Sequence, residues 1–78
     1  VGLSLVPTMV EDFVAGIYTH RDMAGVTFLV QRSVRTHNGD FEVVANIYNE
    51  RVSKLVQTDY SFIVQAKFLD KWTYHGIS

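Results

Sequence analysis

A chain of 78 residues, 47% of them apolar or aromatic, 19% charged and none of them cysteine, has room for one domain, and its apolar load argues against disorder. The absent thiols exclude disulfides, thiolate zinc sites, thiol catalysis and cysteine-ligated clusters, so an apolar core has to hold the fold. Seven Lys/Arg against eight Asp/Glu, a formal charge of −1, lack the basic excess of a nucleic-acid binder, and no apolar run approaches the roughly eighteen residues of a membrane-spanning helix.

The first element reads as a helix. Val6, Val10, Phe13, Val14 and Ile17 recur at the three-and-four spacing of one helical face, and Thr8 with Glu11 forms a Thr-x-x-Glu capping box. The pattern predicts a helix from Thr8 to Thr19, although its β-branched residues and Gly16 lower its propensity, the glycine by about 1 kcal/mol. After Gly25 the period changes to two: Val26, Phe28 and Val30 point one way, and Thr27, Leu29 and Gln31 the other. This strand runs toward Val34 or Arg35. His37-Asn38-Gly39-Asp40 then predicts a hairpin with a type I′ turn, since Asn-Gly tolerates two positive φ angles.

The return strand places Phe41, Val43, Ala45 and Ile47 on one face, with Glu42, Val44, Asn46 and Tyr48 on the other. Asn49-Glu50-Arg51 is either a tight turn into a strand Val52–Gln57 or a bulge in one long bent strand. Thr58-Asp59 reads as a further turn, followed by the alternation Tyr60, Phe62, Val64, Ala66 and Phe68. Asp70-Lys71 leads into a last strand, Trp72–Ile77. The expected architecture is therefore α+β, a single domain over residues 1–78 with one N-terminal helix packed on a four- or five-stranded antiparallel meander. Val14-Ala15-Gly16 resembles the Val-x-Gly part of the first binding loop of cystatin-type protease inhibitors. Position 11 is Glu rather than a leading glutamine, however, and the segment falls inside the expected helix, so neither membership nor inhibition follows.

No catalytic or metal constellation emerges, and no cofactor is implied. His20 precedes Asp22 by two residues, His37 precedes Asp40 by three and His75 stands near Gly76; none has metal-site spacing. Glu42 and Glu50 are about 26 Å apart along a strand, beyond the roughly 5–9.5 Å of paired glycosidase carboxyls. Ser33, Ser53 and Ser61 lack a nucleophile elbow, and the glycines form no phosphate loop.

The aromatic residues carry the functional expectation, because one twelve-residue helix cannot shield a sheet of this size. Tyr48, Tyr60, Trp72 and Tyr74 are the expected protein-interface residues, with Arg32 and Arg35 as rim charges. The chain is expected to be a noncatalytic protein-binding or self-assembling module, a homo-oligomer or complex subunit, working through a sheet edge or an exposed aromatic face. One alternative is a small-ligand-binding or catalytic domain, with a pocket between helix and curved sheet and His20 or His37 at its mouth. Another is a weak nucleic-acid module, which would need Arg32, Arg35, Lys54 and Lys67 on one face.

Overall fold

The structure, a computed structural model, describes residues 8–10 and 12–77, and of Thr8 and Met9 the backbone alone. Alternation of period two organises most of this stretch into strands β1 (Thr8–Met9), β2 (Gly16–His20), β3 (Val26–Arg35), β4 (Phe41–Asn49), β5 (Lys54–Val64) and β6 (Trp72–Tyr74). A 3-10 helix, Ala66–Lys71, joins the last two. All pairings are antiparallel, in the spatial order β1-β6-β2-β3-β4-β5. Strands β2 to β5 form a meander, and the 3-10 helix returns the chain so that β6 lies between β1 and β2.

The expected α+β arrangement is overturned. Five antiparallel strands of three residues or more are present with the two-residue β1, but the 3-10 helix is the one helix among the described residues. Residues predicted to be helical instead form β1, an irregular stretch over residues 12–15, and β2. Val6 and Glu11, and with them the full helical stripe and capping box, lie outside the described residues. Val10 and Phe13 are buried as the helical spacing predicts, yet Val14 on the same predicted face is 53% exposed. The physical reason lies in the residues that weakened the helix. Ile17 and Thr19 suit a strand, and β2 gains hydrogen-bonded partners on both sides, β3 and β6. Gly16 takes φ 150°, where a Cβ would lie 2.6 Å from Tyr74 Cε1 and 2.9 Å from the Gly76 carbonyl oxygen.

The Asn-Gly hairpin forms, with a different turn. Gly39 alone has positive φ in that loop, at 83°, and its N–H donates to the Thr36 carbonyl at 3.0 Å. This is a type I turn followed by a left-handed glycine, one of the favoured three-residue hairpin loops, rather than type I′. The break after Asn49 is a tight turn: the Arg51 N–H donates to Asn49 Oδ1 at 2.9 Å, Ser53 has φ 52°, and β5 starts at Lys54 rather than Val52. Thr58-Asp59 is not a turn; β5 runs through it to Val64, and Ala66 and Phe68 belong to the 3-10 helix. The last strand ends at Tyr74, although the His75 N–H and the Gly76 carbonyl still bond Ile17, each at 2.8 Å.

Bulges give the sheet its bend. Register shifts between Val30 and Arg32 on β3, so Gln31 is extra, and twice on β5, where Val56 and one of Thr58-Asp59 are extra. Asp59 has φ 52°. On the outer face Gln31 Nε2 donates to Asn46 Oδ1 at 2.7 Å and to Asp59 Oδ1 at 3.0 Å, while the Asp59 N–H donates to Asn46 Oδ1 at 3.0 Å. One polar row thus ties the β3 bulge to a β5 bulge across β4. Bulges increase local twist and bend the strand that carries them. Beyond Gln31 the facing of β3 reverses: Ser33 turns inward, donating to the Phe13 carbonyl at 2.6 Å, and Val34 turns outward, 63% exposed.

The bend shows in the core. Four inter-strand steps separate β5 from β6, about 19 Å in a flat sheet, yet the Phe62 and Trp72 rings stack with centroids 6.0 Å apart. The concave face packs Phe13, Tyr18, Phe28, Val30, Phe41, Val43, Ala45, Val64 and Trp72. The Tyr18 hydroxyl donates to the Val14 carbonyl at 2.8 Å, pinning residues 12–15 over this core. Burial, with the Tyr74 hydroxyl and the Asp12 carboxylate nearby, pushes that phenol well above its ordinary range.

Candidate functional site

Among the described residues no helix covers the concave face, and part of it forms an open cleft of about 750 Å³. Its floor comes from four strands: Val26 and Phe28 on β3, Ile47 on β4, Phe62 on β5 and Trp72 on β6. These meet because inward positions alternate along each strand and the bulges curl β5 toward β6. Phe28 meets Trp72 at 4.8 Å and Phe62 at 5.7 Å between centroids, and Tyr60 stacks on Phe62 at 5.6 Å. The rim carries the polar groups His20, Asp22, Arg51, Gln57 and Tyr60, beside Met23 and Ala24. A smaller cavity of about 440 Å³ lies between the end of β5 and the 3-10 helix, sharing His20, Phe62 and Trp72 with the cleft.

His20 sits edge-on to Trp72, ring centroids 4.8 Å apart. Its Nδ1 accepts the Asp22 N–H at 3.1 Å, which leaves the proton of the neutral ring on Nε2. Partial burial holds this imidazole below its ordinary pKa, outweighing the nearby Asp22 carboxylate. The Asp22 carboxylate accepts from Lys71 Nζ at 3.2 Å, and that hydrogen bond and charge hold it below the usual carboxylate range. It is the one ion pair among the described residues. His20 and Asp22 therefore converge at the cleft, but the carboxylate serves the lysine and only the backbone amide meets the imidazole.

The other histidines lie elsewhere. His37 is exposed in the β3–β4 loop, and His75 Nε2 is 2.7 Å from Thr19 Oγ1. Among the described residues no three His, Asp or Glu side chains gather as a metal site. No helix among them is long and apolar enough to cross a membrane.

Of the six expected interface residues, the cleft brings together Trp72 and Tyr60. Trp72 is 7% exposed, a floor residue, whereas Tyr60 is 39% exposed at the rim. Tyr48 lies on the outer face, opposite Thr27 and Leu55. Tyr74 packs against Tyr18 at 5.0 Å. Arg32 and Arg35 border a separate cavity of about 370 Å³ beside Asp12, and the Arg35 guanidinium lies 4.6 Å from the Phe41 ring centroid. Lys54 begins β5 and Lys67 is in the 3-10 helix, so the four basic residues stand on three different elements. On sequence grounds Phe28 and Phe62 belong to the core, and Arg51 and Gln57 have no role. The inward alternation of Phe28, Ile47 and Phe62 was the available signal; nothing local marks Arg51.

The chain matches no protein-family model, no curated protein and no solved structure.

Proposed function

We propose that this chain is a noncatalytic binding module and that its binding surface is the aromatic cleft. The supporting observation is the convergence of Phe28, Phe62, Trp72 and Tyr60 on one open concavity of about 750 Å³. Ligand sites typically measure roughly 300–1,000 Å³ and combine an apolar lining with a few polar groups at the rim. Catalysis is not favoured, because among the described residues no carboxylate orients His20 and the acid beside it is committed to Lys71.

Amide shift mapping with a mixed set of apolar fragments tests this reading. Responses should cluster at Val26, Phe28, Ile47, Phe62 and Trp72, and Gln57→Trp, which fills the cleft from an exposed position, should abolish them. Responses scattered over the outer face, or undiminished in that variant, would overturn the assignment.

A second reading, self-association through a sheet edge, is favoured by β5. This strand ends the sheet and leaves Leu55, Val56, Tyr60 and Ile63 exposed. Its bulges interrupt pairing along the first half, so Tyr60–Val64 is the stretch suited to a second copy. Concentration-dependent mass that collapses to monomer in Ile63→Lys would support it; a monomer at every concentration would remove it.

A further inference from the structure

We infer that the cleft takes a small amphipathic carboxylate, its apolar body laid on Phe28, Phe62 and Trp72 and its carboxylate held by Arg51. This rests on the cleft being the binding surface and adds the chemistry of what enters it.

The floor sets the apolar half. It is built entirely of hydrocarbon and aromatic groups, yet it opens to solvent, so every methylene laid on it leaves water. Phe62 and Trp72 lie near parallel, 14° apart, and Phe28 is tilted against both, 68° from Trp72 and 56° from Phe62. They offer an uneven trough rather than one flat slot, a surface that suits a flexible alkyl body better than a rigid fused ring.

The rim sets the charge. Its two formally charged groups are Asp22 and Arg51. The Asp22 carboxylate already has the Lys71 ammonium at 3.2 Å. Arg51 has no acidic partner within ion-pair distance among the described residues, and its side chain rests against Gly25 at the cleft's edge. Its backbone is fixed by the bond from its N–H to Asn49 Oδ1. A guanidinium offers five N–H donors in a planar fork that matches a carboxylate. The remaining rim groups agree: His20 uses Nδ1 as an acceptor and so presents Nε2–H, and Gln57 and Tyr60 can each donate. A cationic amphiphile would find the one anionic acceptor of the rim, Asp22, committed to Lys71 and would face Arg51.

The test uses the full chain and three eight-carbon probes: octanoate, octanol and octylamine. Trp72, the chain's one tryptophan, lies in the floor, so its emission reports occupancy directly. Octanoate is expected to bind about five- to tenfold tighter than octanol at low salt, the range between an exposed ion pair and a charge-assisted bidentate one. That preference should shrink in 0.5 M salt and vanish in Arg51→Gln; lengthening the acid to decanoate should gain up to about fourfold per methylene.

Equal binding of octanoate and octanol, tighter binding of octylamine, or an undiminished preference in Arg51→Gln would overturn the carboxylate assignment and leave the cleft reading standing. If none of the probes shifts Trp72 emission or the floor amides, the cleft reading falls and the carboxylate assignment with it.

Discussion

Gly16→Ala separates the two accounts of the N-terminal segment by the sign of its effect. In a helix the substitution stabilises by about 1 kcal/mol, because alanine is the better helix former. In the strand observed, residue 16 has φ 150° and a Cβ would stand 2.6 Å from Tyr74 Cε1 and 2.9 Å from the Gly76 carbonyl oxygen. The tyrosine ring can swing away, but only by leaving its packing on Tyr18; the carbonyl accepts the Ile17 N–H at 2.8 Å and cannot retreat without loosening that bond. Backbone strain of roughly 1–3 kcal/mol and about 1 kcal/mol for the weakened hydrogen bond give an expected loss of about 2–4 kcal/mol. A domain of this length has a total stability of only about 4–12 kcal/mol. With a urea slope near 1 kcal/mol/M, the unfolding midpoint should fall by about 2–4 M. Gly39→Ala is the control: φ there is 83° and nothing lies within 4 Å of the new methyl, so the cost is the left-handed backbone alone, about 1–2 kcal/mol. A Gly16→Ala variant as stable as the parent, or more so, would refute the strand and restore the helix.

Asn46→Ala removes the acceptor that ties Gln31 to the Asp59 N–H and should cost about 1–2 kcal/mol, lowering Tm by roughly 4–16 °C. An unchanged Tm would mean that the bulges hold without the polar row. Val34→Lys should lie within about 0.5 kcal/mol of the parent because the bulge at Gln31 turns Val34 outward; a loss above 2 kcal/mol would place it in the core, as unbroken alternation requires. His20 has a folded pKa below its unfolded value, so its neutral form is favoured by folding. Its contribution is present above the unfolded pKa, near 6.5, and is lost as pH falls through the folded one. Stability should therefore fall on acidification below about pH 6.5, and less steeply in His20→Gln; parallel pH profiles for the two proteins would contradict the shift.

Much of the sheet is legible in the sequence, and the failures share a cause. The alternations Val26–Val30, Phe41–Ile47 and Tyr60–Val64 specify inward faces that the structure keeps, and Asn38-Gly39 fixes the hairpin between the first two. The helix fails because Val10 and Phe13 belong to both a helical face and a chain crossing the core, and only pairing to β6, more than fifty residues downstream, decides between them. The bulges are hidden for a similar reason: Gln31 and Asp59 look like ordinary polar positions until Asn46 is seen between them. In the sequence the aromatic floor looks like core composition because its openness depends on strand order, and Arg51 acquires meaning only when the turn that carries it reaches the cleft.

The strand order also fixes when the molecule becomes whole. Strands β2 to β5 can pair in sequence through short connections, but β6 belongs beside β2 and follows all of them in the chain. Until it does, β2 has an open side and the rings of Phe13, His20, Phe28 and Phe62 lack the indole they surround, which meets them at centroid distances of 5.3, 4.8, 4.8 and 6.0 Å. Long-range closure of this kind costs loop entropy before it returns any contact. The single tryptophan is thus placed as a kinetic clock: in refolding, its emission should lag the sheet signal from the meander, and the interval between them measures the time taken by the last strand to dock.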